Sequence, residues 1–173
     1  MQRYALFDIM ATQNKEDKEA IRLLKEVVRA SKKAQNPHKP DYLISVHEYE
    51  DRTANGLTRC VIDFLNHTVS CHAERISSEG RVIDGRKTFT DVMGNQRTIG
   101  SIKRIKSSGQ LGTADISATI LGRSVKIEIK VGNDRQSEHQ KDYQRCIENA
   151  KGYYVIVRKF SEFLTWFNAK YPK

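Results

Sequence analysis

The sequence of 173 residues has few of the features that mark secreted or membrane proteins. It contains only three cysteines, Cys60, Cys71 and Cys146, and no CxxC pair, which is typical of thiols in a reducing compartment. No apolar run approaches the length of about 20 residues that crosses a bilayer, and no signal peptide opens the chain. We therefore expect an intracellular, cytoplasmic protein with no membrane partner.

Acidic residues are also in short supply. The 21 Asp and Glu residues are outnumbered by 30 Lys and Arg residues, which gives a formal net charge of +9. Such an excess favours a polyanionic partner, nucleic acid before membrane, although a merely soluble basic surface is the alternative. Between positions 81 and 110 the only acids are Asp84 and Asp91, whereas seven residues are basic: Arg81, Arg86, Lys87, Arg97, Lys103, Arg104 and Lys106.

Proline is scarce, and two of the three prolines lie in the segment 35–41, QNPHKPD, where apolar periodicity stops. Before it, apolar residues at helical spacing predict a helix that Asn14 caps. We therefore divide the chain into an N-terminal helical arm, residues 1–40, and a domain, residues 41–173. The arm is expected to pack on the domain or on a second copy of the chain.

Helical and strand patterns alternate after the arm. They predict, in order, helix 53–66, strand 69–77, a hairpin within 112–131, helix 137–150, a buried strand 153–157 and a final helix capped by Ser161. The strand, helix, strand spacing predicts a right-handed crossover between parallel strands. The basic segment 78–111 is expected to extend the sheet and to form a loop that faces the substrate.

The stretch 112–130 alternates apolar and polar residues on both sides of Gly122-Arg123, which predicts a β-hairpin with that pair as its turn. In this register Asp115 opposes Lys130, and Glu128 emerges on the same face. Opposed Cβ atoms lie about 5 Å apart, so two carboxylates and an ammonium would converge. This favours a divalent-metal site; a solvated strand face with an Asp–Lys pair is the alternative.

Gln140 lies on the apolar stripe of the predicted helix 137–150, three residues before Tyr143. A glutamine that points inward needs hydrogen-bond partners. Because this helix begins soon after Lys130, we expect Gln140 to lie beside the carboxylates. A boundary glutamine bonded to the backbone is equally consistent with the pattern.

Two other groups contain metal-ligand residue types: His47, Glu48 and Glu50, and His67, Cys71 and His72. Nothing in the sequence fixes the geometry of the first group, so exposed polar residues are favoured over a second metal cluster. The second group lacks a further ligand pair at zinc-finger spacing, so we do not expect it to bind zinc.

The hairpin and Gln140 together provide what phosphodiester hydrolysis needs. A divalent cation held by Asp115 and Glu128, with the backbone carbonyl of Ile129, would neutralise charge at the reacting phosphate and lower the pKa of a bound water. Lys130 would hold or polarise the nucleophile, or contact the phosphate. The basic segment would hold the nucleic-acid backbone without reading its sequence.

Three elements occur in order around the hairpin and the crossover: Gly112-x-x-Asp115, Glu128-Ile129-Lys130 and Gln136-Ser137-x-x-Gln140. Over residues 53–168 the chain thereby resembles the VRR-NUC branch of the PD-(D/E)xK nuclease superfamily, in particular its small single-domain members of phages and bacteria. The resemblance implies an α/β fold with a restriction-endonuclease-like core, a mixed central β-sheet flanked by helices.

The resemblance also implies a Mg²⁺- or Mn²⁺-dependent DNA endonuclease that leaves a 5′-phosphate, and a homodimer that cuts branched DNA such as four-way junctions. It assigns Asp115 and Glu128 as metal ligands, Lys130 as the catalytic lysine and Gln140 as the helix glutamine near the site. Relatives often carry a metal-facing glutamate on the first helix, where this chain has Asn55, so a second metal is in question.

Residues expected to contact DNA are Arg75, Arg97, Lys103, Arg104 and Lys106. Arg75 is equally suited to a surface salt bridge. Three alternative functions stay open: a DNA-binding module with a nuclease fold and no turnover, a nuclease acting on RNA or single strands, and a structural subunit of a larger complex.

Overall fold

The computed structural model describes residues 2–76, 80–105 and 110–172, with side chains from Asn14 onward except that of Arg81. Within these ranges four helices and eight strands follow one another, together with a 3₁₀ turn at Asp41–Leu43. They are α1 (Gln2–Gln35), α2 (Ala54–Asn66), β1 (Cys71–Arg75), β2 (Arg81–Asp84), β3 (Lys87–Thr90), β4 (Gln96–Ile99), β5 (Ile102–Ile105), β6 (Ile116–Ile120), β7 (Arg123–Ile129), α3 (Glu138–Asn149), β8 (Tyr153–Val157) and α4 (Phe160–Lys170).

A mixed four-stranded sheet in the order β1-β6-β7-β8 forms the centre, and helices flank it, as the sequence predicted. Strand β6 is antiparallel to both of its neighbours, β1 and β7, whereas β7 and β8 are parallel and joined through α3. Alternation buries one face of β6 and β7, with the core residues Ile116, Ala118, Ile120, Val125, Ile127 and Ile129. The opposite face carries the polar residues of both strands.

Helices α1, α2 and α4 pack together on the apolar side of the sheet. Phe64 of α2 meets three rings of α4 edge-on, with ring centroids 5.8 Å from Phe160, 5.9 Å from Phe163 and 5.2 Å from Phe167. The N-terminal arm joins this core through Ala20, Leu24 and Val28, which are buried in it. The arm therefore packs on the domain, one of the two arrangements expected.

Two predicted helix starts are wrong. Helix α1 begins at Gln2, so Asn14 lies within it; the first 35 residues contain neither glycine nor proline, and an asparagine alone does not end a helix. Ser161 lies inside α4, whose N-cap is Lys159. The Phe160 amide donates instead to the buried carboxylate of Asp51 at 3.1 Å, and the Ser161 hydroxyl donates to Asp17 of α1 at 2.6 Å.

Strand β8 occupies the predicted residues but is not fully buried. Only Val157 is buried, and Ile156 is 38% exposed. The reason is that β8 is an edge strand of the sheet, which the apolar run alone could not reveal. At the opposite edge, β1 covers Cys71–Arg75 of the predicted strand 69–77, whose last residue lies outside the described ranges.

The segment 81–105 does not extend the central sheet, contrary to the sequence prediction. It forms two small sheets, β2 with β5 and β3 with β4, and both share one register in which Arg81 opposes Ile105 and Thr90 opposes Gln96. Between them the Gly85 amide donates to the Ser101 carbonyl at 3.2 Å. We call residues 81–105 the ribbon. Each of its strands thus takes its partner from within the ribbon and not from the central sheet.

Candidate functional site

The hairpin of β6 and β7 turns at Leu121-Gly122, one residue earlier than predicted. Ile120 opposes Arg123, and both turn residues have positive φ, 47° and 78°. Ile116 opposes Ile127, so continuing the register brings Asp115 opposite Glu128 rather than opposite Lys130. The prediction was therefore off by two residues. An even shift keeps every side chain on its predicted face, so Asp115 and Glu128 share the polar face.

Asp115 is fixed by the backbone of the neighbouring strand. Its Oδ2 atom accepts a hydrogen bond of 2.9 Å from the amide of Ile129. The chain reaches Asp115 through Gly112, where φ is +78° and a Cβ atom would lie 2.2 Å from the carbonyl oxygen of His139 in α3. Only glycine permits this approach, so Gly112 packs the segment before Asp115 against the start of α3 rather than against a ligand.

Glu128 is a buried carboxylate on β7, only 1% exposed. Its Oε1 atom lies 2.9 Å from Lys130 Nζ and accepts a hydrogen bond of 2.5 Å from Gln140 Nε2. Its Oε2 atom receives only a long hydrogen bond, 3.4 Å, from the hydroxyl of Tyr154. Because α3 and β8 supply these partners, the acid is enclosed on the face that alternation alone would leave open to solvent.

Lys130 is the buried cation of the site, 5% exposed. Besides Glu128, its ammonium group donates to Gln140 Oε1 at 3.1 Å and lies 3.3 Å from the carboxylate of Asp134. The amide of Lys130 donates to the Val157 carbonyl at 3.0 Å, which ties the end of β7 to β8. The ammonium is thus held among two carboxylates and one side-chain amide.

The pKa values of Glu128 and Lys130 both lie above their ordinary values, for different reasons. Burial raises the pKa of Glu128, the hydrogen bond from Lys130 opposes this, and the negative charge of Asp115 raises the pKa further. Burial acts to lower the pKa of Lys130, but its interactions with Glu128 and Asp134 outweigh burial and raise it. Lys130 is therefore held as an ammonium group that donates hydrogen bonds.

Gln140 lies beside the carboxylates, as the sequence predicted, and it also bonds to the backbone. It forms a capping box with Ser137. The backbone amide of Ser137 donates to Gln140 Oε1 at 2.9 Å, and the backbone amide of Gln140 donates to Ser137 Oγ at 3.3 Å. The two interpretations of Gln140 left open by the sequence therefore hold together. The residue that caps α3 also contacts both Glu128 and Lys130.

The structure brings Asp115, Glu128, Lys130 and Gln140 together but leaves Arg75 apart. Arg75 opposes Ile116, so its side chain leaves the sheet on the face opposite to that of Asp115. Arg97, Lys103 and Arg104 belong to the ribbon, and Lys106 lies outside the described residues. Asn55 lines a separate cavity of about 290 Å³ beside His47, Glu50 and Arg59.

The two other clusters have alternative partners. His47 Nε2 lies 2.5 Å from Arg59 Nη1, and Glu48 forms an ion pair of 2.6 Å with Lys25. His67 Nδ1 lies 3.0 Å from the hydroxyl of Ser31. Within the described ranges no group of three or more His, Cys, Asp or Glu side chains is placed to hold a metal ion. Among these described residues, His47, Glu48 and Glu50 are thus not arranged as such a group.

The donor atoms at Asp115 and Glu128 suit a hard divalent cation. Mg²⁺ is usually held by one or two carboxylates and completes its shell with water and substrate phosphate oxygens. In the described part of the chain, Asp115 Oδ1 accepts no hydrogen bond and Glu128 Oε2 accepts only the long one from Tyr154. Each acid thus has one oxygen available to a cation.

Sequence reasoning missed two residues of the site, Asp134 and Tyr154. Tyr154 opposes Lys126 in the parallel ladder and so lies on the face of Glu128; burial raises its pKa well above the ordinary value. The apolar run YYVIV concealed it, although the alternation of strand faces could have identified it. Asp134 follows the Gly132-Asn133 turn, and nothing in the local pattern indicated that it reaches Lys130.

A cleft of about 800 Å³ lies beyond the carboxyl ends of the parallel strands β7 and β8. Ligands of open α/β sheets commonly bind at this edge. The cleft is bounded by Gly132, Arg158 and Lys159 after the strands, and by residues 49–52 and helix α1 on the other side. Its lining includes none of Asp115, Glu128, Lys130 and Gln140, so the cleft is separate from the carboxylate site.

Searches of protein-family models, of curated proteins and of solved structures gave no match to this chain. Among the described helices, none is both long enough and apolar enough to cross a membrane.

Proposed function

We propose that this protein is a divalent-metal-dependent DNA endonuclease that hydrolyses phosphodiester bonds. The observation that carries the proposal is the convergence of Asp115, Glu128, Lys130 and Gln140 on one polar face of the sheet. This set, its order in the chain and the mixed sheet around it support a restriction-endonuclease-like core of the VRR-NUC type.

Asp115 and Glu128 would hold Mg²⁺ or Mn²⁺, which supplies Lewis-acid charge and a lower pKa for water at the site. Asp115 is oriented by the Ile129 amide, so its second oxygen is directed without a loss of side-chain freedom on binding. Glu128 is held by Gln140 and Tyr154, which exclude water from one side of the carboxylate.

Lys130 contributes charge rather than proton abstraction. Its raised pKa keeps the ammonium protonated at neutral pH, so it can donate hydrogen bonds to a phosphate oxygen or orient a nucleophilic water. Gln140 acts as a positioning residue, because it bonds both members of the ion pair and fixes them relative to the start of α3.

The remaining parts of the proposal concern the partners. The net charge of +9 supports a nucleic-acid substrate, with the duplex or branched DNA held by basic residues outside the carboxylate pair. The proposal includes a homodimer that acts on branched DNA such as a four-way junction, because two sites are needed to cut two strands. Light scattering of the purified protein measures the assembly directly.

The test is cleavage of a plasmid and of a synthetic four-way junction with Mg²⁺, with Mn²⁺ and with EDTA. The wild type is expected to cleave both substrates with either metal and to show no cleavage in EDTA. Asp115→Asn and Glu128→Gln are expected to lose cleavage, while Asp142→Asn, which removes an exposed carboxylate of α3, retains it. Cleavage that persists in the first two variants would contradict the assignment.

One observation favours a second candidate, a DNA-binding module without turnover. The ion pair of Lys130 with Glu128 satisfies the buried carboxylate in the absence of a metal. This candidate predicts salt-dependent DNA binding that survives Glu128→Gln, together with no cleavage by the wild type under any metal condition. RNA and single-stranded DNA, added as competitors in the cleavage assay, test the remaining alternative. A nuclease that prefers either of them would be inhibited by that competitor more strongly than by duplex DNA.

A further inference from the structure

The ribbon, residues 81–105, exposes apolar side chains that a small isolated sheet would normally hide. Ile83, Phe89 and Ile99 are 41%, 45% and 58% exposed. Phe89 and Ile99 share one face of the β3–β4 pair, because alternate residues of a strand share a face, and Ile83 lies on β2 of the same ribbon. An exposed apolar surface of this kind marks an interaction site more often than a structural need.

Cations accompany these apolar residues in a regular way. Each of three cross-strand pairs couples one apolar residue with one cation: Ile83 with Lys103 in β2–β5, and Ile99 with Lys87 and Phe89 with Arg97 in β3–β4. Within the described part of the chain, Lys87 and Lys103 form no ion pair, and neither does Arg104, which opposes Val82. Such a surface is complementary to DNA: its cations can contact the phosphates, and its apolar side chains can contact the sugars and bases.

The tip of the ribbon is built so that its acid points inward and its apolar residues outward. Asp91 Oδ1 accepts hydrogen bonds from the amides of Met93 and Asn95, at 3.0 and 2.9 Å, and Oδ2 accepts one of 2.8 Å from Arg97 Nε. The Gly94 amide also donates to the Asp91 carbonyl at 3.0 Å, and the Asp91 amide donates to the Asn95 carbonyl at 2.8 Å. The negative charge of Asp91 is thereby compensated.

Within this bonded loop, Val92 is fully exposed and Met93 is 81% exposed. The hydrogen bonds of Asp91 fix the loop in a conformation that exposes both apolar side chains to solvent. Two apolar side chains held in this way are suited to insertion into a binding partner. Proteins that kink DNA insert such apolar wedges, methionine among them, between neighbouring base pairs.

The ribbon is attached at the end of the sheet that carries Asp115. The Ile76 amide donates to the Asp115 carbonyl at 2.8 Å, and β2 starts only five residues later, at Arg81. Five residues span at most about 17 Å. The base of the ribbon is thus within one short connection of the carboxylates, so a DNA duplex held by the ribbon would be near them.

We propose that the ribbon is a DNA-binding arm whose Val92–Met93 tip inserts between base pairs and locally unstacks the duplex near the site. Lys87, Lys103 and Arg104 contact phosphates, and the apolar residues of the same ribbon contact sugars and bases. The inference rests on the proposed function only in taking DNA as the partner. A second copy of the ribbon is a poorer occupant, since it would bring like charges together.

Insertion is measured by the fluorescence of 2-aminopurine in a duplex and in a four-way junction, with EDTA present so that cleavage plays no part. The wild type is expected to raise the fluorescence as the base unstacks. Val92→Ser/Met93→Ser is expected to lose most of this rise and to bind roughly tenfold more weakly. The matched control Tyr42→Ser/Leu43→Ser removes an apolar pair that is 86% and 50% exposed elsewhere, and it should behave as the wild type.

The cationic part of the arm is tested by the salt dependence of binding. Lys87→Ala/Lys103→Ala/Arg104→Ala is expected to lower the slope of log affinity against log salt by about 3, because each phosphate contact contributes about 0.9. Lys15→Ala/Arg29→Ala/Lys39→Ala removes the same charge from α1 and the segment after it. This control should leave the slope nearly unchanged.

The remaining outcomes separate the arm from other interpretations. A fluorescence response that is absent in the wild type, or equal in the tip variant, overturns the inference. So does a tip variant that changes the oligomeric state in light scattering, or a wild type that sediments with anionic vesicles and ignores DNA. A response without cleavage under any metal leaves the arm intact and removes the nuclease proposal, and cleavage without a response does the reverse.

Discussion

Gln140 donates a hydrogen bond from its side-chain amide to the buried carboxylate of Glu128, and the same side chain accepts one from the backbone amide of Ser137, the N-cap of α3. One residue thus couples the start of a helix to the central acid of the site. The coupling explains why Glu128 tolerates burial, since its Oε1 atom is bonded by an amide as well as by the ammonium of Lys130.

Substitution of Gln140 should therefore separate helix capping from site geometry. Gln140→Ala removes both, and we expect it to lower the free energy of unfolding by about 1–2 kcal/mol. Gln140→Glu keeps an acceptor for the Ser137 amide but places a second negative charge against Glu128. In urea unfolding, Gln140→Glu should lose less free energy of unfolding than Gln140→Ala. The kcat of cleavage should fall in both variants. Wild-type kcat in both would contradict the positioning role.

Asp115→Asn is expected to stabilise the protein while abolishing cleavage. The substitution removes the negative charge that raises the pKa of Glu128, and the asparagine oxygen can still accept from the Ile129 amide. We expect a gain of about 0.5–1 kcal/mol in urea unfolding with EDTA present, as is common when a functional site is relieved of repulsion. A loss of stability would show that the Asp115 charge is compensated in the folded protein.

Lys130→Met should destabilise the fold strongly. It leaves Glu128 buried without its cation, and the loss of one partner from a buried ion pair costs about 3–5 kcal/mol. Lys130→Met/Glu128→Gln should recover a large part of that cost, because the uncompensated charge is gone. Additive losses in the double variant would indicate that the two residues are energetically independent, contrary to their 2.9 Å separation.

Gly112→Ala and Gly122→Ala form a matched pair, because both glycines have φ of +78°. A Cβ atom at Gly122 meets nothing within 4 Å, whereas at Gly112 it would lie 2.2 Å from the His139 carbonyl oxygen. Gly122→Ala should cost only the left-handed backbone penalty, about 1–2 kcal/mol. Gly112→Ala should cost a further 1–3 kcal/mol, roughly the penalty of overpacking, in thermal unfolding. Equal losses would refute the close packing of this segment on α3.

The three thiols should react in an order set by burial. Burial raises the pKa of Cys60 to about 12, and it also raises the pKa of the half-buried Cys71, whereas Cys146 is exposed. Iodoacetamide at pH 8, followed by mass spectrometry, should modify Cys146 first and Cys60 last, because the thiolate is the reactive form. Rapid labelling of Cys60 would contradict its burial.

The same pKa predicts how Cys60 affects stability at high pH. Because the pKa of the thiol is higher in the folded protein than in the unfolded chain, its stabilising contribution is complete below about pH 9 and is lost as the pH rises towards 12. The free energy of unfolding of Cys60→Ala should therefore decrease less steeply with rising pH, between about pH 9 and 12, than that of the wild type. A parallel pH dependence of both proteins would exclude this effect.

The polar face of the hairpin could be predicted from the sequence, but its register could not. Alternation placed Asp115 and Glu128 on one side, and this is correct. The turn was misplaced because Leu121 adopts a left-handed conformation at φ of 47°, an uncommon choice for leucine where asparagine is usual. No local pattern distinguishes Leu121-Gly122 from Gly122-Arg123 as the turn.

Burial of the site and the isolation of the ribbon were also beyond the sequence. Glu128 alternates like any solvent-facing strand residue, and only the packing of α3 and β8 over it reveals that it is enclosed. In the ribbon, Asp91 and Gly94 mark a turn, but pairing within 81–105 and pairing with the central sheet satisfy the same backbone groups. The choice between them depends on tertiary geometry.

Because the register of the ribbon is uninterrupted, its length can be changed in equal steps by paired deletions. Removing two residues from one strand and the two facing residues from the other would leave all other partners matched and every side chain on its present side. Each such deletion would shorten the projection by about 7 Å. Variants trimmed in this way form a graded series of molecular rulers, with which the distance from the base of the ribbon to whatever its end touches can be measured.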